Sequence, residues 1–195
     1  MDESLLKDII AKAKNYDLSA LEVLCEHFYH RIYNYIFYKV SSQGDAEDLT
    51  SEVFIRMVKN IAGQSGSFKT WLYKIASNLV IDHYRQRSSV KKTMAQYEEL
   101  LNINSQKQER DAMAAYGEFG RLLSELTPEQ REVVTLRFIE GFSAAEIGKI
   151  TQRSENAVKA LQFRAMTTLR EKTKGTQEKN VRLEILGNKG ATNAG

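Results

Sequence analysis

One cysteine, one proline and one tryptophan in 195 residues exclude several architectures at once. Cys25 has no second thiol for a disulfide and no companion for a cysteine-based zinc cluster, so it reads as a small buried side chain. A lone proline, Pro128, and the scarcity of Val, Ile and Thr runs leave little material for strands. No apolar run approaches the roughly 18 residues of a membrane span. Met1 to Asn15 carries acids and lysines where a signal peptide has an apolar stretch, so no membrane insertion and a cytoplasmic location are expected. Enzyme signatures are missing too: there is no phosphate-cradling glycine loop and no zinc-protease motif. His27, His30 and His83 have no Ser or Cys nucleophile in a recognisable local arrangement. His27 and His30 share a spacing that could hold a metal with Glu26, but on an amphipathic aromatic helix they read as ordinary histidines. No catalytic residue, metal or cofactor is expected.

What is present is charge, unevenly placed. The net charge is only +3, yet residues 1–60 carry 7 basic and 10 acidic side chains, residues 69–92 carry 6 and 1, and residues 142–174 carry 7 and 3. Two separated basic segments fit two contacts with a polyanion.

Apolar residues recur at helical spacing almost throughout. Leu21, Leu24, Phe28, Ile32, Tyr35 and Ile36 form one broad face of a helix over 18–40. After a break at Ser41 to Gly44, Asp45 is placed as the N-cap of a helix to Asn60, with Glu47 and Asp48 in the first turn, where the helix dipole favours acids. Ala62 to Ser67, rich in Gly and Ser, is a loop. A third helix carries a core stripe of Phe68, Trp71, Leu72, Ile75 and Leu79. From Ser88 to Glu118 the apolar pattern fades into a linker. Thr127-Pro128-Glu129-Gln130 is a capping box opening a second unit, and Ser143-Ala144-Ala145-Glu146 is another. A short helix to Ile150, a turn at Thr151 to Arg153 and a longer basic helix from Ser154 to about Lys172 give a helix-turn-helix. The expected fold is all-α, two small helical domains over 1–87 and 119–174, joined by a flexible linker over 88–118 and followed by a tail over 175–195 expected to be disordered. The two units are expected to have no fixed mutual orientation in isolation.

On the last helix Val158, Leu161, Ala165 and Leu169 share one side, so Phe163 points away from the core. Phe163 flanked by Lys159, Ala160 and Arg164 fits the major groove, where an aromatic or Ala meets a thymine methyl and a basic side chain reaches guanine or phosphate. Arg153 and Asn156 stand at the helix start, placed to meet phosphate. In the first unit Tyr73, Tyr84, His83, Lys74, Asn78 and Arg85 mix aromatic, basic and amide groups, the composition that stacks and hydrogen-bonds unpaired bases.

The runs Asp45 to Phe54, Phe68 to Asn78 and Asp82 to Arg85 together resemble region 2 of bacterial sigma factors of the extracytoplasmic-function (ECF) group. Leu123 to Glu132, Glu146 to Gly148 and Ala157 to Ala165 resemble region 4. The resemblance covers roughly residues 18 to 172 with the motifs in order. It implies a specificity subunit of RNA polymerase with no catalytic site of its own, which promotes promoter melting and transcription initiation. By position it implies that Asp45, Asp48 and Glu52 dock on the clamp helices of the large polymerase subunit, with a further contact at the flap region. Ser65, Ser67, Lys74, Asn78 and Arg85 would meet the melted single strand of the −10 element. Arg153, Asn156, Lys159, Ala160, Phe163 and Arg164 would enter the −35 duplex. An anti-sigma partner is a further family expectation. Gly148 stands where relatives commonly have Ala, and Glu155-Asn156 replaces a common Gly-Thr. Two other readings compete: a helix-turn-helix transcriptional regulator acting without polymerase docking, and a helical module whose basic faces meet acidic proteins.

Overall fold

Among the described residues the helical periodicity of the sequence becomes eight α-helices and no strand. A computed structural model gives the structure over residues 2–92 and 117–189. In α1 (Glu3–Ala13) and α2 (Leu18–Val40) the chain forms an antiparallel pair, and the Asp17 carboxylate caps α2 by accepting from Ala20 N–H at 2.8 Å. The six residues of the α2 apolar face are all buried. Ser41 then turns the chain in a left-handed conformation, φ 54°, and its N–H donates to Phe37 O at 2.8 Å.

Ser42, not Asp45, is the N-cap of α3 (Gln43–Asn60): its hydroxyl accepts from Asp45 N–H at 3.4 Å. The serine satisfies a free amide and leaves Asp45 inside the first turn, where the dipole favours its charge. A 3₁₀ turn, Ile61–Gly63, and buried Gln64, whose side-chain amide donates to Gly66 O at 2.9 Å, shape the loop into α4 (Phe68–Lys92). Ser67 caps that helix, accepting from Thr70 N–H at 3.3 Å. α4 continues to Lys92, into the stretch assigned to the linker, because Ser88 to Lys92 contains no Gly or Pro to stop it. The rest of that stretch up to residue 116 lies outside the described residues.

The second unit comprises α5 (Gly117–Ser124), α6 (Pro128–Val134), α7 (Ala144–Thr151) and α8 (Glu155–Lys189). Both capping boxes form. In the second, the Ser143 backbone amide and hydroxyl donate to the Glu146 carboxylate at 2.8 and 2.7 Å, which holds its pKa below the ordinary glutamate range. α6 widens into a π-helical turn, Thr135–Ile139, and Gly141 at φ 75° turns Phe142 into the core. Gln152, at φ 57°, makes the tight turn of the helix-turn-helix. α8 runs to Lys189, through most of the segment read as a tail. Gly175 and Gly187 cost only about 1 kcal/mol each in a helix and do not break it.

The two units pack on each other, α6 against α2 and α7 against α4. The structure thus gives the two units one mutual orientation. The docked faces carry groups that are costly to leave exposed or unpaired: the Tyr73 and Phe142 rings meet edge to face at 5.0 Å, and each buried aromatic contributes about 1.5–3 kcal/mol. Tyr73 is wholly buried there, so it leaves the nucleic-acid surface to which its sequence neighbours were assigned.

Candidate nucleic-acid interface

α8 separates core from surface along its axis. Val158, Leu161 and Ala165 are buried and Leu169 packs against the core from its edge. Phe163 is 71% exposed on the opposite side, its ring open to solvent. Arg153, Asn156, Lys159, Ala160 and Arg164 are exposed around it. Lys159 pairs with Glu155 at 2.7 Å, an exposed i,i+4 ion pair that is easily exchanged for a phosphate. Six residues chosen from sequence therefore share one accessible face.

The other surface forms where the 61–67 loop meets α4. A cleft of about 390 Å³ is lined by Arg56, Asn60, Gly63, Trp71, Ile75 and Asn78. A second, of about 340 Å³, brings Ser65, Gly66, Ser67, Thr70, Trp71 and Lys74 together with Glu146 and Lys149 of α7. Trp71, assigned to the core stripe, is half-buried and borders both clefts. Trp71, Asn78 and Arg85 are each seven residues apart, two helical turns, so they fall on one strip of α4, and that spacing was legible in advance. Arg56 and Asn60, on α3, carried no comparable signal. Arg85 is exposed, 3.6 Å from Asp82. Ser67 spends its hydroxyl on capping α4, and the Tyr84 hydroxyl donates to Lys39 O. Asn78 Oδ1 accepts from the Gln152 side chain at 3.0 Å, so the helix-turn-helix turn sits at the edge of the cleft.

The three acids of α3 differ. Asp48 is exposed with no ion pair among the described residues. Glu52 pairs with Arg56 at 2.7 Å. Asp45 faces α4, 3.2 Å from Arg87 and 3.7 Å from His83, so it also ties α3 to α4.

Family models place this geometry. Sigma-70 region 2 matches residues 24–90 and sigma-70 region 4 matches residues 116–169. The ECF RNA polymerase sigma factor SigX of Bacillus subtilis is 30% identical over 181 residues, which cover 87% of this chain and 93% of SigX. The chain belongs to the ECF sigma factors. BldN, an ECF RNA polymerase sigma factor of Streptomyces coelicolor, is 34% identical over 175 residues, covering 86% of this chain but 66% of BldN. The solved structure of the sigma factor RpoE in complex with the anti-sigma factor NepR, from Bartonella quintana, shares the fold at a TM-score of 0.59 and 20% identity, covering 78% of this chain and 96% of RpoE. As a sigma factor the chain binds core RNA polymerase and recognises promoter DNA, the work of a specificity subunit. No helix among the described residues of this sigma factor is long and apolar enough to cross a membrane.

Proposed function

We propose that the sigma factor divides promoter recognition between its two surfaces. The α8 face of Arg153, Asn156, Lys159, Ala160, Phe163 and Arg164 reads the −35 duplex in the major groove. The strip of Lys74, Asn78 and Arg85, with Ser65 and Ser67 on the loop, captures unpaired bases of the −10 element; Trp71 and Arg56 add a stacking ring and a cation to it. Melting is then favoured because only unpaired bases make these contacts. Asp48, with Asp45 and Glu52, docks on the clamp helices of the polymerase, and the second unit reaches the flap region. The reaction itself belongs to the polymerase; this chain supplies no catalytic group and acts in the cytoplasm. An anti-sigma protein is its natural negative regulator, as one accompanies the sigma factor RpoE.

The observation that carries the reading is the exposed Phe163 set among basic residues directly opposite the buried stripe of the same helix. The test is co-elution with bacterial core polymerase followed by run-off transcription on a pool of promoter fragments. Wild type should initiate selectively, and Phe163→Ala should co-elute but lose selectivity. Duplex binding without co-elution would instead indicate a regulator independent of polymerase.

A further inference from the structure

The hydrogen bonds of Arg56 leave its guanidinium one open edge. Its Nε donates to Glu52 Oε1 at 2.7 Å, and neither terminal nitrogen, Nη1 or Nη2, has a partner among the described residues. A carboxylate on Nε fixes the plane of the guanidinium and leaves the two donors of its far edge side by side. Asn60, one turn further along α3, donates its side-chain amide to Arg56 O at 2.8 Å, so its Oδ1 remains as an acceptor. Both residues line the cleft of about 390 Å³ with Trp71, Ile75 and Asn78 of α4, and the half-buried Trp71 brings an aromatic ring to the wall. The pairing also sets Arg56 apart from a plain phosphate anchor. Glu52 offsets the charge that would draw a phosphate, whereas a base edge is neutral and is met by matched donors and acceptors.

Two donors beside an acceptor make a pattern that the bases answer unequally. The Arg56 edge needs two neighbouring acceptors, and Asn60 Oδ1 needs a donor next to them. Guanine presents N7, O6 and then N1–H, and cytosine presents O2, N3 and then N4–H. Adenine and thymine have no two neighbouring acceptors: the N6 amino group stands between N7 and N1 of adenine, and N3–H between O2 and O4 of thymine. Each therefore sets an N–H against one of the Arg56 donors. In a duplex the guanine N1–H and the cytosine O2, N3 and N4–H are taken by the partner base, so the full pattern is met only by an unpaired base.

We propose that Arg56 is a specificity-determining residue of the single-strand surface: held by Glu52, it admits an unpaired guanine or cytosine at one position of the −10 element and rejects adenine and thymine. Trp71 stacks the base and Asn60 accepts its N–H. The proposal rests on the reading of the Asn78 strip as the surface for unpaired DNA. Glu52 meets Arg56 through Oε1 alone, which leaves Oε2 for the polymerase contact assigned to it.

The test uses the full chain assembled with bacterial core polymerase, on run-off templates whose −10 element is randomised. Each template carries a downstream barcode, so sequencing the transcripts ranks the bases at every −10 position. Wild type should favour guanine or cytosine over adenine and thymine at one position by about tenfold or more, and the same ranking shows which of the two leads. Arg56→Ala should bring that position to within about twofold and leave the preferences at the others as they are. Arg56→Lys keeps the charge but not the paired donors, so it should lose the discrimination as well. Discrimination retained by the lysine would mean that charge alone acts there and would overturn the proposal. A wild type without such a position, or a preference unchanged in Arg56→Ala, would overturn it too. Each readout is a ratio among bases in one reaction, so weaker folding or polymerase binding lowers all templates alike. Failure of the wild type to initiate on any template would instead remove the promoter role of the strip, and the base preference with it.

Discussion

The Tyr35 hydroxyl donates to the Glu132 carboxylate at 2.8 Å, joining residues 97 positions apart in the chain. Burial, and then the Glu132 charge, push the Tyr35 phenol above its ordinary range, so it remains a donor at any working pH. Glu132, facing Tyr35 and Lys39 of α2 and Ser77 of α4, has a docked pKa below its ordinary value of 4.5. A depressed carboxylate stabilises docking fully above its free pKa and loses that contribution as pH falls through its docked pKa. The radius of gyration should accordingly stay constant from neutral pH down to the ordinary glutamate range and rise only below it. Expansion beginning near neutrality would assign the contact to another group.

Lys39→Met and Tyr35→Phe should separate charge from hydrogen bonding at this centre. Removing one member of a buried ion pair costs about 3–5 kcal/mol, whereas losing a hydrogen bond to a buried group costs about 1–3 kcal/mol. Lys39→Met should therefore lower the calorimetric transition temperature clearly more than Tyr35→Phe. Equal shifts would show that the Lys39 charge is not the larger contributor.

Phe163→Ala removes a side chain that packs on nothing internal, so thermal stability should change by no more than about 0.5 kcal/mol. Affinity for the preferred duplex should fall by about 1–3 kcal/mol. Arg164→Ala should reduce the slope of log affinity against log salt by about 1. Fluorescence anisotropy at several salt concentrations reads both effects; an unchanged slope would remove Arg164 from the phosphate contacts.

Asp48 and Asp45 make a contrast on one helix. Asp48→Lys should abolish co-elution with core polymerase while the melting temperature stays put, since Asp48 is exposed and makes no ion pair among the described residues. Asp45→Asn should instead lower the melting temperature, because Asp45 faces Arg87 and His83 of α4. Retained co-elution of Asp48→Lys would move the docking surface elsewhere.

A Cβ built on Gly148 would stand 2.7 Å from Arg153 O, the backbone of the helix-turn-helix turn. That oxygen cannot swing away like a side-chain tip, so Gly148→Ala must displace the turn and should cost about 1–3 kcal/mol. Thermal denaturation measures it. A neutral result would mean that the turn and α8 can shift together, which duplex affinity would then reveal.

Much of the fold was legible because its signals are local. The capping boxes at Thr127 and Ser143 and the opposed faces of α8 depend on residues three or four apart, and all three are as the sequence indicates. Asp45 was misread as a cap because Ser42, three residues earlier, offered the same chemistry. Tyr73 was misplaced for a different reason: it lies outside the apolar stripe of its own helix and is buried by Phe142, which the sequence places 69 positions later. Glu132 looked like one more acid in a helix opening, since nothing near it in sequence announces Lys39 or Ser77.

α4 is a three-sided rod. At about 100° per residue, Phe68, Leu72, Ala76 and Leu79 turn toward the first core, Lys69, Tyr73 and Ser77 toward the second unit, and Trp71, Lys74, Asn78 and Arg85 toward the clefts. Rotation about the helix axis is what assigns each residue its job. A single residue inserted after Thr70 would turn everything beyond it by about 100°, swinging Tyr73 toward the clefts and Asn78 toward the core. Along this segment the chain tolerates exchange of side chains far better than any change of count.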